Sequence, residues 1–520
     1  MIRPRRMEAE TESLWLATGP ATTFAPLKAE VETDVAVIGA GIFGVTTALM
    51  LAREGRNVVL LEMDRVGQGV TGHTTAKISS AHGLIYTQVR SRFGREGAAV
   101  YADAQQAGLG MIAGMAAELG IECELRRRPA YTYAESAEDA QAIEQEVEAA
   151  REAGLPVSLV TDTPLPWPIA AAIRYEDQAE FQPRSFVVGL AEALVAAGGR
   201  VHERTRATGV REGSPCAVET DHGAVRADHV VIATHMPFLD RAAFFARVSP
   251  ERSYVIGARI ANEPPAGMFL STESPAHSVR AHPNAGGELL LVGGESHKVG
   301  QSDEVARYEA LERWARERFD VTSVPYRWSS QDNMPADGIP YVGRLHPLAR
   351  RLWTATGFRK WGFTNGVAAA RIVADAILGL ENPWASLFDA NRFTPIAATP
   401  SLIRENLNVA TRLVGDRARD LKPPAAESLA PGEGAIASLD GRTAAVYRTP
   451  GGALQAVSPS CTHLGCHVRF NAAERSWDCP CHGSRFATDG TVLHGPAVRD
   501  LEPVTQPQRD EDARPDSRHA

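Results

Sequence analysis

The chain has 520 residues, 44% hydrophobic and 22% charged. That is enough for two or three domains with sizeable cores, and it is not a disordered, collagen-like or coiled-coil composition. Its 54 Lys+Arg and 63 Asp+Glu give a net charge of −9, which excludes a global basic footprint for nucleic acid. No stretch reaches the length and apolarity of a transmembrane span. The basic start through Arg5 and Arg6 runs into acids rather than an apolar signal core, so a cytoplasmic protein is the expectation.

Residues 1–30 read as a polar lead-in from which Trp15 and Phe24 dock onto the body. Residues 34–62 run strand, glycine turn, helix, strand: Asp34–Ile38, an apolar helix carrying Val45, Ala48, Leu49 and Leu51, a stop at Gly55, then Val58–Leu61. Helices are predicted over 95–120, 137–153 and 184–197. Residues 201–234 alternate short strands and turns and end in the apolar run Ala227–Ile232. Further strands are expected at Gly287–Val292 and Leu352–Ala355, and an apolar helix at Gly366–Leu380. A helix over roughly 400–417 leads to Lys422-Pro-Pro. From 433 to 505 the pattern changes to short strands and turns, a small β domain, followed by a polar tail expected to be disordered.

Gly39-Ala-Gly41-Ile-Phe-Gly44 is G-x-G-x-x-G in its proper setting, between an apolar strand and a helix, with Glu62 closing the second strand. The glycines serve the tight turn, the approach to a pyrophosphate and close helix–strand packing. The helix N-terminus favours the negative charge. Glu62 suits both ribose hydroxyls and disfavours a 2′-phosphate. The fingerprint alone leaves FAD and NAD open. A late glycine-rich turn, Thr356–Gly366, placed before the last apolar helix, favours FAD, because a helix N-terminus there would stabilise a reduced isoalloxazine.

The arrangement over roughly 30–390 resembles the D-amino-acid-oxidase-like family of FAD-dependent oxidoreductases. The resemblance rests on Gly39, Gly41, Gly44 and Glu62, on Gly69–Lys77, on Val230–Thr234, and on Asp337–Gly343 with Thr356-Gly357. It implies an α/β fold: a Rossmann-like FAD-binding domain in separated segments (31–85, 181–240 and 331–390) with an interleaved α+β substrate domain (86–180 and 241–330). It places Thr74, Thr75, Lys77, Gly357, Gly362 and Thr364 beside the cofactor. The loop Thr71–Lys77 is more polar than the family's usual Ser/Gly-Arg-rich version. The catalytic residues are not fixed by this pattern. His73 and Lys77 are candidates near the ring, and Arg327 and Arg359 are candidate forks for a substrate carboxylate; each also has a purely structural reading.

Of six cysteines, Cys123 and Cys216 are scattered and read as buried small apolar residues. The other four, Cys461, Cys466, Cys479 and Cys481, fall within 21 residues. Cys461-x-His463 and Cys479-x-x-His482 form a Cys₂His₂ set that would suit zinc. The fuller pattern, Cys-Thr-His-Leu-Gly-Cys and Cys-Pro-Cys-His-Gly-Ser, resembles the Rieske family over about 433–505. That resemblance implies an all-β domain holding a [2Fe-2S] cluster, one iron on Cys461 and Cys479 and the other on His463 and His482. It also implies a Cys466–Cys481 disulfide, a hydrogen bond from Ser484 toward a bridging sulfide, and Gly495–Val498 as the loop covering the cluster. Where high-potential members carry a tyrosine, this chain has Phe486. His467 and His494 are read as non-ligands. Residues 391–432 connect the two parts, and 506–520 form the tail.

A flavin takes two electrons as hydride and a Rieske centre passes them singly. The leading expectation is an enzyme that oxidises a small amine or amino-acid-like substrate and sends electrons through the cluster to a protein or quinone acceptor, with membrane contact peripheral at most. The alternatives are a reductase running from cluster to flavin, and a non-catalytic redox sensor or electron-transfer module. A Rieske oxygenase is disfavoured, since no separate mononuclear-iron site of two histidines and a carboxylate stands out.

Overall fold

The computed structural model describes residues 11–239, 244–392 and 423–504. The helix expected near 400–417 and the tail from 506 lie outside these residues.

Strand Val31–Ile38 is the axis of the first sheet. Its inner half is fully buried, as a continuous Val/Ile/Ala run requires. It pairs in parallel with Val58–Leu61 on one side and Gly223–Ile232 on the other. Leu352–Thr356 and Arg200–His202 extend the parallel core, and Tyr341–Arg344 closes one edge antiparallel. Helices Ile42–Arg53 and Gly362–Leu378 pack together over this sheet. At Gly366 a Cβ would lie only 3.2 Å from Ile42 Cγ2, so the small residue lets the two helices approach.

The second sheet has nine strands, in the order Val321–Pro335, Val248–Ile260, Gly287–Lys298, Ser278–Asn284, Met268–Ser271, Arg126–Ala134, Ala171–Glu180 and Lys77–Ile78, with Val157–Val160 alongside Ala171–Glu180. Its strands alternate in the chain with segments of the first sheet. Lys77 thus belongs to the second sheet, although it follows directly on the cofactor turn. Beyond residue 423 lie two small antiparallel sheets, Gly434–Leu439 with Arg442–Arg448 and Leu454–Val457, and a four-stranded sheet running from Arg469–Asn471 to Val492–His494. The whole is a mixed α/β body with small antiparallel sheets at its C-terminal end.

Several boundaries differ from the sequence reading: the strands expected at Asp34–Ile38 and Ala227–Ile232 start earlier, at Val31 and Gly223. The last apolar helix begins at Gly362, not Gly366, because Trp361 caps it and Phe363, Thr364 and Asn365 are buried in its first turn. It ends at Leu378, two residues before the expected Leu380, because Gly379 caps it in the left-handed region (φ 77°). The helix predicted from 95 is the second half of Ile85–Glu118, broken at Gly94 (φ 75°). The strand predicted from Gly287 runs on to Lys298. Trp15 is fully buried, and its indole N–H donates to Thr74 O at 2.6 Å. Among the described residues no helix is long and apolar enough to cross a membrane.

Candidate flavin and cluster sites

The glycine turn sits at the carboxyl end of Val31–Ile38. Gly39 has φ 107°, and a Cβ there would lie 2.5 Å from Ala233 O. Gly44 is one turn into the helix, where a Cβ would lie 1.9 Å from Gly39 O. No side chain caps the helix at Gly41. Gly41, Ile42 and Phe43 line a cavity of about 380 Å³, so the positive end of the helix dipole bears on it. Thr71 Oγ1 accepts from Ile42 N at 3.2 Å and ties the following loop to this turn.

Glu62 lies in the same wall. Its carboxylate accepts from Ala40 N at 2.7 Å and from Asp64 N at 3.0 Å, which fixes its direction. Burial pushes its pKa up to about 7. Together the turn, the bare helix end and this carboxylate fit the diphosphate and ribose of a dinucleotide, and the long cavity beyond them has room for a ring system.

The structure brings Gly39, Gly41, Glu62, His73, Thr74, Thr75, Lys77 and Gly362 together around this one cavity. It leaves Gly44, Gly357 and Thr364 behind the wall. Gly44 packs beneath Gly39, Gly357 faces Pro335, and Thr364 Oγ1 lies 3.2 Å from Ser79 O. His73 Nδ1 is 2.9 Å from Gly69 O, and burial holds its pKa low. Lys77 is buried. Burial first, and then Arg280, pull its pKa down to about 7 against the opposing pull of Glu180.

The two arginine candidates are not in the cavity wall. Arg327 is bonded to Glu312 at 2.6 Å, a pairing that joins helix Glu304–Arg318 to the second sheet. Arg359, held at φ 50°, is half-buried, and its buried Nη1 has no hydrogen-bond partner among the described residues. Sequence reasoning missed His235, Lys360 and Asp332, which do line the cavity. The only sequence signal for His235 was its place directly after Val230–Thr234.

In the small domain the ligand candidates converge. The imidazoles of His463 and His482 meet edge to face with centroids 5.0 Å apart. The thiols of Cys461 and Cys479 are hydrogen-bonded to one another, which draws Cys461 down to about 7 and pushes Cys479 well up. The sulfurs of Cys466, Cys479 and Cys481 lie within 4.8 Å of one another. Cys466 and Cys481 are joined by a disulfide (S–S 2.02 Å), so they offer no thiolate. That leaves two thiols and two imidazoles, a donor set that fits a [2Fe-2S] cluster with one iron on sulfur and the other on nitrogen. Ser484 is fully buried; its hydroxyl bonds Cys461 and accepts from Ala497 N at 3.0 Å. The two histidines differ in setting. His482 is buried with its ring 5.5 Å from Phe245, whereas His463 is half-buried beside Leu464, which is 43% exposed.

Phe486 is fully buried opposite Trp477. Phe486→Tyr adds a hydroxyl able to donate toward a ligating sulfur, which favours the reduced, more negative cluster. One such bond of about 1 kcal/mol corresponds to a rise of roughly 40 mV in midpoint. A redox titration followed by EPR reads this directly, and an unchanged or lower midpoint contradicts it.

The small domain is packed against the large one through these same elements. Leu493–Val498, adjoining the cluster loops, line the same cavity as the glycine turn.

Comparisons with known proteins agree with this geometry. The family described as FAD dependent oxidoreductase matches residues 34–376, and the Rieske [2Fe-2S] domain matches 422–505. A Bacillus subtilis (strain 168) protein described as "Putative Rieske 2Fe-2S iron-sulfur protein YhfW" is 36% identical over 95% of this chain and 97% of its own length. Gamma-glutamylputrescine oxidoreductase of Escherichia coli K12 is 23% identical over 76% of this chain and 93% of its own. The crystal structure of glycine oxidase from Geobacillus kaustophilus shares the fold, with a TM-score of 0.59 and 21% identity over 70% of this chain and 99% of that one. With the first of these matches spanning most of the large body and the second all of the small one, the chain belongs to the FAD dependent oxidoreductase family and carries a C-terminal Rieske [2Fe-2S] domain.

Proposed function

We propose that the protein is a dehydrogenase that oxidises a small amine or amino-acid-like substrate at FAD and delivers the electrons one at a time, through the Rieske cluster, to an external acceptor. The observation that carries this reading is the shared wall: Leu493–Val498 of the cluster-bearing domain line the same cavity as Gly39, Gly41 and Lys77. When bound, FAD supplies hydride acceptance and the cluster supplies single-electron transfer.

The substrate class is inferred from the kinship with an oxidoreductase of γ-glutamylputrescine and from the polar groups of the cavity. Lys360 is already engaged by Glu251 at 3.1 Å and Ser296 at 2.7 Å. Among the described residues Lys77 has Thr75 Oγ1, at 3.4 Å, as its one hydrogen-bond partner. Its neighbours Arg280 and Glu180 bond each other at 2.9 Å. Among the described residues Lys77 is therefore a cation available to a substrate carboxylate or to negative charge developing on the reduced ring. The acceptor approaches from the side where His463 and Leu464 reach the surface.

An anion in the cavity favours the charged form of Lys77, so binding takes up a proton once the free lysine has lost its own. Affinity for a small carboxylate such as acetate is expected to weaken by up to about tenfold per pH unit above 7, and to be flat below it. Lys77→Met removes the slope. Perturbation of the flavin spectrum between pH 6 and 9 measures both. A slope surviving in Lys77→Met rules this lysine out.

The function itself is tested by anaerobic titration of loaded protein with a panel of amines and amino acids. The expected result is bleaching of the flavin followed by the EPR signal of the reduced cluster. Filling of the cluster first by a reduced ferredoxin, with the flavin second and no response to the panel, would make the protein a reductase.

A further inference from the structure

A Rieske domain on a linker can work in two ways. It can swing as a carrier, or it can be built into the site it drains. The contact surface between the two parts of this chain separates these possibilities.

Arg252, on the long strand Val248–Ile260, is 1% exposed. Both of its counter-charges come from the small domain: Glu474 at 3.2 Å and Asp478 at 3.0 Å. Arg485 bonds the same two carboxylates from the other side. Ser329 and Tyr308 of the large part complete the lattice, at 2.8 Å from Arg252 and 3.2 Å from Glu474. Withdrawing the small domain would separate Arg252 from both carboxylates and break the bond between Tyr308 and Glu474 at once, so the docked contact is held by a connected ion-pair network and not by a single bond. A second set of contacts lies at the cluster loop itself. Gln331 Nε2 donates to Gly483 O at 2.9 Å, next to His482.

At the cavity the two parts meet through a pair of histidines. His235 belongs to the large part and His494 to the small one. His235 Nδ1 lies 3.4 Å from His494 Nε2, and their ring centroids are 5.4 Å apart. His235 is held in the left-handed region, φ 64°, and its carbonyl accepts from Thr356 Oγ1 at 2.6 Å and Asn333 Nδ2 at 3.1 Å. A non-glycine residue kept in that conformation by two hydrogen bonds marks a position the surrounding structure over-determines. Three residues beyond His494, Ala497 N–H donates to Ser484, whose hydroxyl bonds the ligand candidate Cys461. The cavity wall and the cluster pocket are thus consecutive residues of one segment.

We propose that the Rieske domain is a fixed wall of the flavin cavity, and that electrons cross to the cluster through the His235–His494 seam without any excursion of the small domain. The proposal rests on the reading that both cofactors are loaded and exchange electrons. Two electrons held at the cavity leave singly. A cluster held by Cys461, Cys479, His463 and His482 would take them one at a time, each passed to an external one-electron acceptor before the next, with the protons released to solvent.

The test uses full-length protein carrying FAD and cluster, with the flavin reduced by light and a sacrificial donor so that no substrate is needed. The rate at which electrons reach the cluster is expected to be the same in buffer and in concentrated glycerol. A rate falling in proportion to viscosity would overturn the proposal in favour of a swinging domain. His494→Ala and His235→Ala are expected to slow the crossing by about tenfold or more, with iron content, flavin content and cluster midpoint unchanged. Crossing at the unmodified rate in both would overturn the role of the seam. Hydrogen exchange gives a readout independent of electron flow. The Ala497 amide is expected to be protected as strongly as Val230–Ile232 of the central strand, and exchange through a cheaper, local undocking would count against the fixed wall. The viscosity and exchange arms need no variant. If no amine or amino acid reduces the flavin but light-driven electrons still cross at a viscosity-independent rate, the substrate assignment fails and the fixed wall stands.

Discussion

Cys479→Ala is expected to produce a protein that still binds FAD and still bleaches it with substrate, but that no longer reduces the external acceptor. Cys479 is 1% exposed, its thiol is bonded to that of Cys461, and it lies in the apolar core of the small domain with Trp477 and Phe486. Removing it takes one of the two thiolates from a single iron. Loss of even a supporting residue around a metal typically costs roughly 10- to 100-fold in metal affinity, so loss of a ligand should abolish assembly, leaving iron near zero and acceptor reduction down by two orders of magnitude or more. The flavin side rests on the large sheet and on Gly39, Gly41 and Glu62, none of which touches Cys479 directly. Iron analysis, EPR, and stopped-flow flavin reduction read the three consequences separately. Undiminished acceptor reduction in iron-free protein would mean that electrons leave the flavin by another route, and the electron chain argued above would fall.

This separability reflects how each site is written in the sequence. The Rieske pattern was legible because all four ligand candidates lie on two short loops of one small domain, and their immediate neighbours (Pro480, Gly483, Ser484) belong to the same tight turns. The dinucleotide turn was legible for the same reason: strand, glycines, helix and Glu62 are consecutive. Long-range pairings left no such mark. His494 is marked in the sequence only as a non-ligand, and its contact with His235 left no sign because the two are 259 residues apart, on different domains. Arg327 looked free to clamp a carboxylate because nothing local announced Glu312. Arg252 drew no attention inside a long strand, although its counter-charges, Glu474 and Asp478, build the contact between the two parts. The helix starting at Gly362 was placed late because two glycines in its first five residues read as turn. Gly366 is tolerated because the neighbouring helix Ile42–Arg53 approaches closely there. What the chain encodes locally could be read; what is created by folding distant segments together could not.

Gly44→Val is expected to cost the protein its FAD. The first atom of the new side chain would meet Gly39 O at 1.9 Å, with Ala233 Cβ at 3.1 Å on the other side. The obstacle is backbone, so no rotamer change relieves it, and either the helix Ile42–Arg53 moves away from the sheet or the turn Gly39–Gly41 opens. Overpacking of this kind costs about 1–3 kcal/mol or more. Here the displaced atoms are the ones that receive the diphosphate, so the cost falls on cofactor binding, where each 1.4 kcal/mol is tenfold in affinity; a loss of about 100-fold or greater is expected. Gly55 provides the control. It also sits in the left-handed region, φ 78°, but a Cβ there meets nothing within 4 Å. Gly55→Ala should therefore lower stability modestly, by about 1 kcal/mol, and leave FAD affinity unchanged. Fluorescence titration of FAD into deflavinated protein, alongside thermal unfolding of each variant, distinguishes a turn that must be empty of side chain from one that only needs its φ. Equal FAD affinity in Gly44→Val and the unmodified chain would mean that the diphosphate does not rest on this turn, and the assignment of the cavity would have to change with it.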